Sequence, residues 1–140
     1  MDKNNKITEI KGYTKYLDLS HRYYILTPLT KQALSDLYDA NFINAENRKV
    51  KEEYSYMEFD EETFLLMEEY LFNFISVECN LIITMYEEEW AEGEMLNDIL
   101  KIAERMINNS DNEKFIELAQ KFLVLVKIAI EKERVLVFYF

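Results

Sequence analysis

The chain has 140 residues, of which 49% are hydrophobic and 14% aromatic, with 2 Gly, 1 Pro and a formal charge of −11. That is one domain's length and enough apolar content for a sizeable core, which excludes a disordered, collagen-like or low-complexity chain. A single Cys (Cys79) excludes an internal disulfide framework, and a single His (His21) excludes the usual zinc sites, which need several N or S ligands.

The opening, MDKNNKITEIKGY, has no apolar stretch of the kind a secretory signal needs, and no later run approaches the ~20 apolar residues of a membrane helix. A cytoplasmic protein that does not enter a membrane is expected. Residues 13–19 read as a weak strand, and residues 22–26 (Arg-Tyr-Tyr-Ile-Leu), aromatic and β-branched, as a firm one. Thr27 then suits an N-cap and Pro28 a first helical turn, which predicts a helix over 28–41 with Leu29, Ala33, Leu37 and Ala40 on one face. The Asn-rich residues 41–47 form a turn region, after which Val50, Glu52, Tyr54, Tyr56 and Glu58 fall on one side of a strand.

Asp60 has the chemistry of an N-cap, with Glu61 and Glu62 in the first turn, where the helix dipole favours anions. Polar positions then recur at helical spacing from Glu62 through Glu87, opposite Phe64, Met67, Leu71, Phe74, Val77 and Leu81. This predicts a long helix from 60 to at least 79, extending to 91 at the farthest. Residues 81–86 also fit a strand, but the polar stripe continues in phase through them and helix is the expectation. Gly93 breaks the chain, and a helix over 94–108 presents Leu96, Ile99, Leu100, Ala103, Met106 and Ile107. Ser110-Asp111-Asn112-Glu113 reads as a capping box for a helix over 111–133 with Phe115, Leu118, Ala119, Phe122, Val126, Ala129 and Ile130 as its stripe. The final VLVFYF is β-rich and hazardous if exposed, so it should pair with the 22–26 strand. The expected fold is α+β, one helix-dominated domain over 1–140 with about four helices and a small sheet from N-terminal and C-terminal strands.

The charge is unevenly placed. Residues 1–51 hold nine basic and six acidic groups and residues 101–140 hold seven and six, whereas residues 52–100 carry fifteen carboxylates and no Lys, Arg or His. Acidic tails are poor in apolar residues, and this stretch is rich in them, so it belongs to a folded core. No local cation is available to form i,i+4 pairs, and a face needed only for solubility would mix signs. The pattern therefore points to a surface built for a cationic partner, where an unneutralised field speeds encounter. The partner-binding residues expected are Glu61, Glu62, Glu68, Glu69, Tyr70, Tyr86, Glu87, Glu88, Glu89, Trp90, Glu92, Glu94 and Asp98, with the aromatics as anchors inside a charged rim.

Other chemistries are poorly served. Helical pyrophosphohydrolases place Glu-x-x-Glu and Glu-x-x-Asp on facing helices around Mg²⁺. Glu89 and Glu92 have the first spacing, but Glu94 and Asp98 are four apart and no cation nearby would hold a substrate phosphate. His21 has no recognisable nucleophile or orienting acid, Cys79 sits among apolar residues, and Gly12 and Gly93 are too isolated for a phosphate loop. Direct nucleic-acid binding needs a basic patch. The expectation is a non-enzymatic, cofactor-free inhibitor of a basic, nucleic-acid-acting protein such as a nuclease or toxin. Two alternatives stand beside it: a helical interaction module whose acidity serves solubility, and the Mg²⁺-dependent hydrolase.

Overall fold

A computed structural model describes residues 23–37, 53–85 and 87–140. The elements are β1 (Tyr23–Pro28), α1 (Lys31–Leu37), β2 (Tyr54–Phe59), α2 (Glu61–Met67), a π-helical turn (Glu68–Phe72), α3 (Asn73–Cys79), β3 (Glu88–Ala91), α4 (Glu94–Asn108), α5 (Glu113–Glu131) and β4 (Leu136–Tyr139). The expected 13–19 strand, the 41–47 turn, His21 and Tyr86 lie outside the described residues.

The strands form one antiparallel sheet in the order β2-β1-β4-β3, so the fold is α+β. The expected union of the chain's two ends is present: Tyr24 pairs with Tyr139, Ile25 with Phe138 and Leu26 with Val137. Alternation along the strands divides the side chains between two faces. Ile25, Met57, Phe59, Ala91, Leu136 and Phe138 point to the main core, where α2 to α5 contribute Phe64, Leu71, Phe72, Ile99, Phe115, Phe122 and Val126, all fully buried. Phe72 joins the halves of that core, its ring 5.9 Å from Phe138, 6.1 Å from Phe122 and 5.5 Å from Phe140. Tyr24, Leu26, Tyr54, Tyr56, Val135 and Val137 take the other face, with Ala33 and Leu34 of α1.

Local chemistry explains most boundaries. Asp60 caps α2 by accepting from the Thr63 N–H at 2.9 Å, as its sequence position suggested. Gly93, at φ 62°, ψ −137°, starts α4 with a backbone that a side chain would strain. Four expectations are corrected. Thr27 and Pro28 belong to β1, where Thr27 is buried and its hydroxyl donates to the Val135 carbonyl at 2.8 Å; the cap of α1 is Thr30, which accepts from the Ala33 N–H at 3.0 Å. Asn112, rather than Ser110, caps α5, accepting from the Phe115 N–H at 3.0 Å, while Ser110 accepts from the Asn112 N–H.

The third correction concerns the continuation of the long helix, which reaches Cys79 as expected but does not extend through residues 81–85; those are neither helix nor strand. It ends at Asn80, which adopts the left-handed conformation (φ 58°, ψ 47°) that Asn tolerates better than most residues. The Leu81 N–H then reaches back to the Ser76 carbonyl at 3.0 Å. Residues 88–91 are strand because β4 supplies a ladder for them, and a helix there would stack Glu88 over Glu92 at i,i+4 without a cation.

The fourth lies within that helix. The π-helical turn inserts an extra residue, and Leu71 and Phe72 are consequently both fully buried. Beyond it the buried stripe runs through Phe72 and Ile75, out of phase with the pattern before the turn. Phe74 and Val77, which the sequence periodicity assigns to the core, are 41% and 82% exposed.

Candidate acidic interface

The expected partner-binding residues fall into several settings. Glu61 and Glu62 lie in the first turn of α2 and are exposed, with Glu62 Oε1 4.0 Å from the ammonium of Lys114. Glu68, Glu69 and Tyr70 lie in the π-helical turn. The Glu68 carboxylate accepts from the Thr84 hydroxyl at 3.0 Å, Glu69 is exposed, and the half-buried Tyr70 ring stacks obliquely on Phe115, centroids 5.2 Å apart. Tyr86 has no described position.

Glu87 precedes β3 and its carbonyl accepts from the Phe140 N–H at 3.2 Å. Glu88 and Trp90 lie on one face of β3, opposite Tyr139 and Val137 of β4, and the indole N–H donates to the Glu88 carboxylate. Glu89 points to the other face, where its carboxylate accepts from the Ile82 N–H at 2.7 Å. Glu92 helps to line a groove of about 310 Å³ beside Leu34, Leu96 and Arg134, without an ion pair to that arginine. Glu94 opens α4, and Asp98, one turn on, raises the Cys79 thiol pKa after the larger effect of burial.

The sheet brings part of this set together. Glu61 and Glu62 follow directly from β2, at the end where Tyr23 pairs with Phe59; Glu87 and Glu88 enter β3 at that same end, opposite Tyr139. These acids are separated by three strand spacings, or about 14 Å. Glu92, Glu94 and Asp98 lie toward the other end of β3 and along α4. Glu68 and Glu89, in contrast, hold Thr84 and Ile82 of the segment after α3 in place. Their carboxylates are occupied within the molecule.

Few cations meet the 52–100 segment among the described residues. Among the described residues, its carboxylates meet Lys or Arg in two ion pairs, Glu62 with Lys114 and Glu78 with Arg105. None of Glu87, Glu88, Glu89, Glu92, Glu94 and Asp98 is in one. The Tyr139 hydroxyl pKa is raised, first by burial and then by the Glu88 carboxylate.

Sequence reasoning missed three contributors to this surface. Phe74 and Val77 became visible only through the phase shift of the π-helical turn, and Asp111, assigned to a cap, instead stands beside Glu69 and Tyr70 in a second groove. The Glu89–Glu92 spacing read for a metal-dependent hydrolase falls on a strand and its end, so the two carboxylates do not share a helix face. Among the described residues, no three His, Cys, Asp or Glu side chains are grouped to hold a metal ion, and no helix is long and apolar enough to cross a membrane. No family model, curated protein or solved structure matches this chain.

Proposed function

We propose that this chain is a small, non-enzymatic acidic inhibitor acting in the cytoplasm. Its partner would be a basic protein that itself acts on nucleic acid, such as a nuclease or a toxin. The chain occupies the cationic surface with which that partner grips phosphates, as a toxin-neutralising immunity protein or a phage anti-defence protein would. The observation that carries this reading is the run of carboxylates from Glu87 to Asp98, folded on a strand and helix and without a Lys or Arg ion pair among the described residues. Rigid negative charge steers a cationic partner into encounter, and Trp90 at the rim adds ring area for locking.

The test is affinity capture at low salt, with identification of what binds and competition by DNA and RNA. Expected are basic nucleic-acid-acting proteins, released by nucleic acid and by rising salt. Reversing Glu87, Glu88, Glu92 and Glu94 to Lys should weaken capture far more than reversing Glu113 and Glu117. Recovery of only acidic or neutral partners would reject the proposal.

A second reading draws on the exposed apolar side chains of Phe74, Val77 and Ile82, at 41%, 82% and 60%. A helical interaction module would use these, and its partner binding would be nearly flat in a salt titration.

A further inference from the structure

The groove between the π-helical turn and the α4–α5 connection has a composition suited to one kind of side chain. Its volume is about 320 Å³, and it is lined by Tyr70, Phe74 and Met106 together with Asn109, Ser110 and the acidic Glu69 and Asp111. Both carboxylates are exposed, Met106 and Tyr70 are half-buried, and Phe74 shows 41% of its surface. Tyr70 packs obliquely on Phe115, which holds the ring in place. Among the described residues, no lysine or arginine lines the groove. The neighbouring cations are turned elsewhere, Arg105 to Glu78 and Lys114 to Glu62.

The groove exists because of the π-helical turn. An uninterrupted α-helix would carry Phe74 into the core in phase with Met67 and Leu71; the extra residue rotates it out, one turn beyond Tyr70 on the same side. Two aromatic rings and a methionine then make an apolar slot that is also lined by two acidic residues. A flat cation on an apolar stem fits those terms: its methylenes lie along Met106, its plane stacks on the rings, and its N–H groups meet the carboxylates.

We infer that this groove receives an arginine side chain of the basic partner, the guanidinium stacking against Tyr70 and Phe74 and donating to Glu69 and Asp111. The inference rests on the proposed function for the identity of the partner and adds a contact point remote from β3. It favours arginine over lysine, because an ammonium has neither the plane to stack nor the fork to reach two carboxylates.

The test uses the full chain labelled at its methionine methyl groups and titrated with a tetra-arginine peptide. The expected result is a saturable shift of the Met106 methyl, with tetralysine about two- to fivefold weaker. Phe74→Ala and Asp111→Asn should each weaken tetra-arginine by a similar about two- to fivefold, whereas Glu131→Gln, at the far end of α5, should not. Denaturation midpoints of the variants confirm that each stays folded. A silent Met106 methyl overturns the inference. Equal binding of the two peptides with equal losses from Asp111→Asn and Glu131→Gln also overturns it, since that is the behaviour of diffuse attraction. Because the peptide requires no cellular partner, this failure is separate from failure of the inhibitor proposal, which the capture experiment decides.

Discussion

The carboxylate of Glu89, on β3, accepts a hydrogen bond from the backbone N–H of Ile82 at 2.7 Å. With it, three successive N–H groups after α3 are satisfied: Leu81 by the Ser76 carbonyl, Ile82 by Glu89 and Ile83 by the Ser76 hydroxyl. The edge strand and the loop that precedes it therefore support each other. Glu89→Ala should lower the unfolding free energy by about 0.5–1.5 kcal/mol, and Glu89→Gln by less, because an amide oxygen still accepts. Chemical denaturation of both variants checks this; an unchanged Glu89→Ala protein would show that the contact contributes nothing.

The Tyr139 hydroxyl is pushed above its usual pKa by burial first and by Glu88 second, so the fold favours its protonated form. The resulting stability is fully present below the unfolded pKa of about 10 and is lost as pH rises through the higher folded value. Cys79, raised by burial and then by Asp98 and Glu78, adds a loss of the same sign on the alkaline side. Glu88→Gln should bring the Tyr139 pKa part of the way down, leaving the effect of burial. The tyrosinate absorbance titration, compared with that of Tyr139→Phe, reads this directly, and an unmoved titration would refute the coupling.

Glu133 closes the turn after α5 at φ 54°, while the Arg134 N–H reaches back to the Ala129 carbonyl at 2.9 Å. A side chain in that left-handed conformation is strained, and glycine relieves it at some entropic cost in the unfolded chain. Glu133→Gly should raise stability by about 0.5–1 kcal/mol, measured by the shift of the urea midpoint. A loss of stability would mean that the Glu133 side chain makes a favourable contact of its own.

Salt should act in opposite directions on folding and on partner capture. The acidic segment repels itself, so screening over a Debye length of about 10 Å at 0.1 M should raise the melting temperature as sodium chloride is added. The same screening should weaken a steered complex. A melting temperature that falls with salt would indicate that the carboxylates are already neutralised in the fold.

Much of the architecture was legible because its signals are local. Asp60 caps α2 through its own side chain, Gly93 permits the turn into α4, and the apolar stripe of residues 94–108 matches the helix found there. The β-rich C-terminal residues pair with β1 as their composition required. The acidic surface was legible only as a list of residues. Nothing local distinguishes Glu88, which meets Trp90, from Glu89, which meets Ile82, until the strand sends them to opposite faces.

Composition and periodicity alone settled that this chain would build an α+β core and that its net negative charge would come from one third of its length. Tertiary structure decided the rest. Residues 88–91 became strand because β4 offered an edge, and Thr27 entered β1 because the Val135 carbonyl was within reach. Phe74 turned outward because Leu71 and Phe72 were both drawn into the core, at the expense of one regular helical turn. In each case a contact between residues distant in sequence outweighed a preference of less than about 1 kcal/mol per residue.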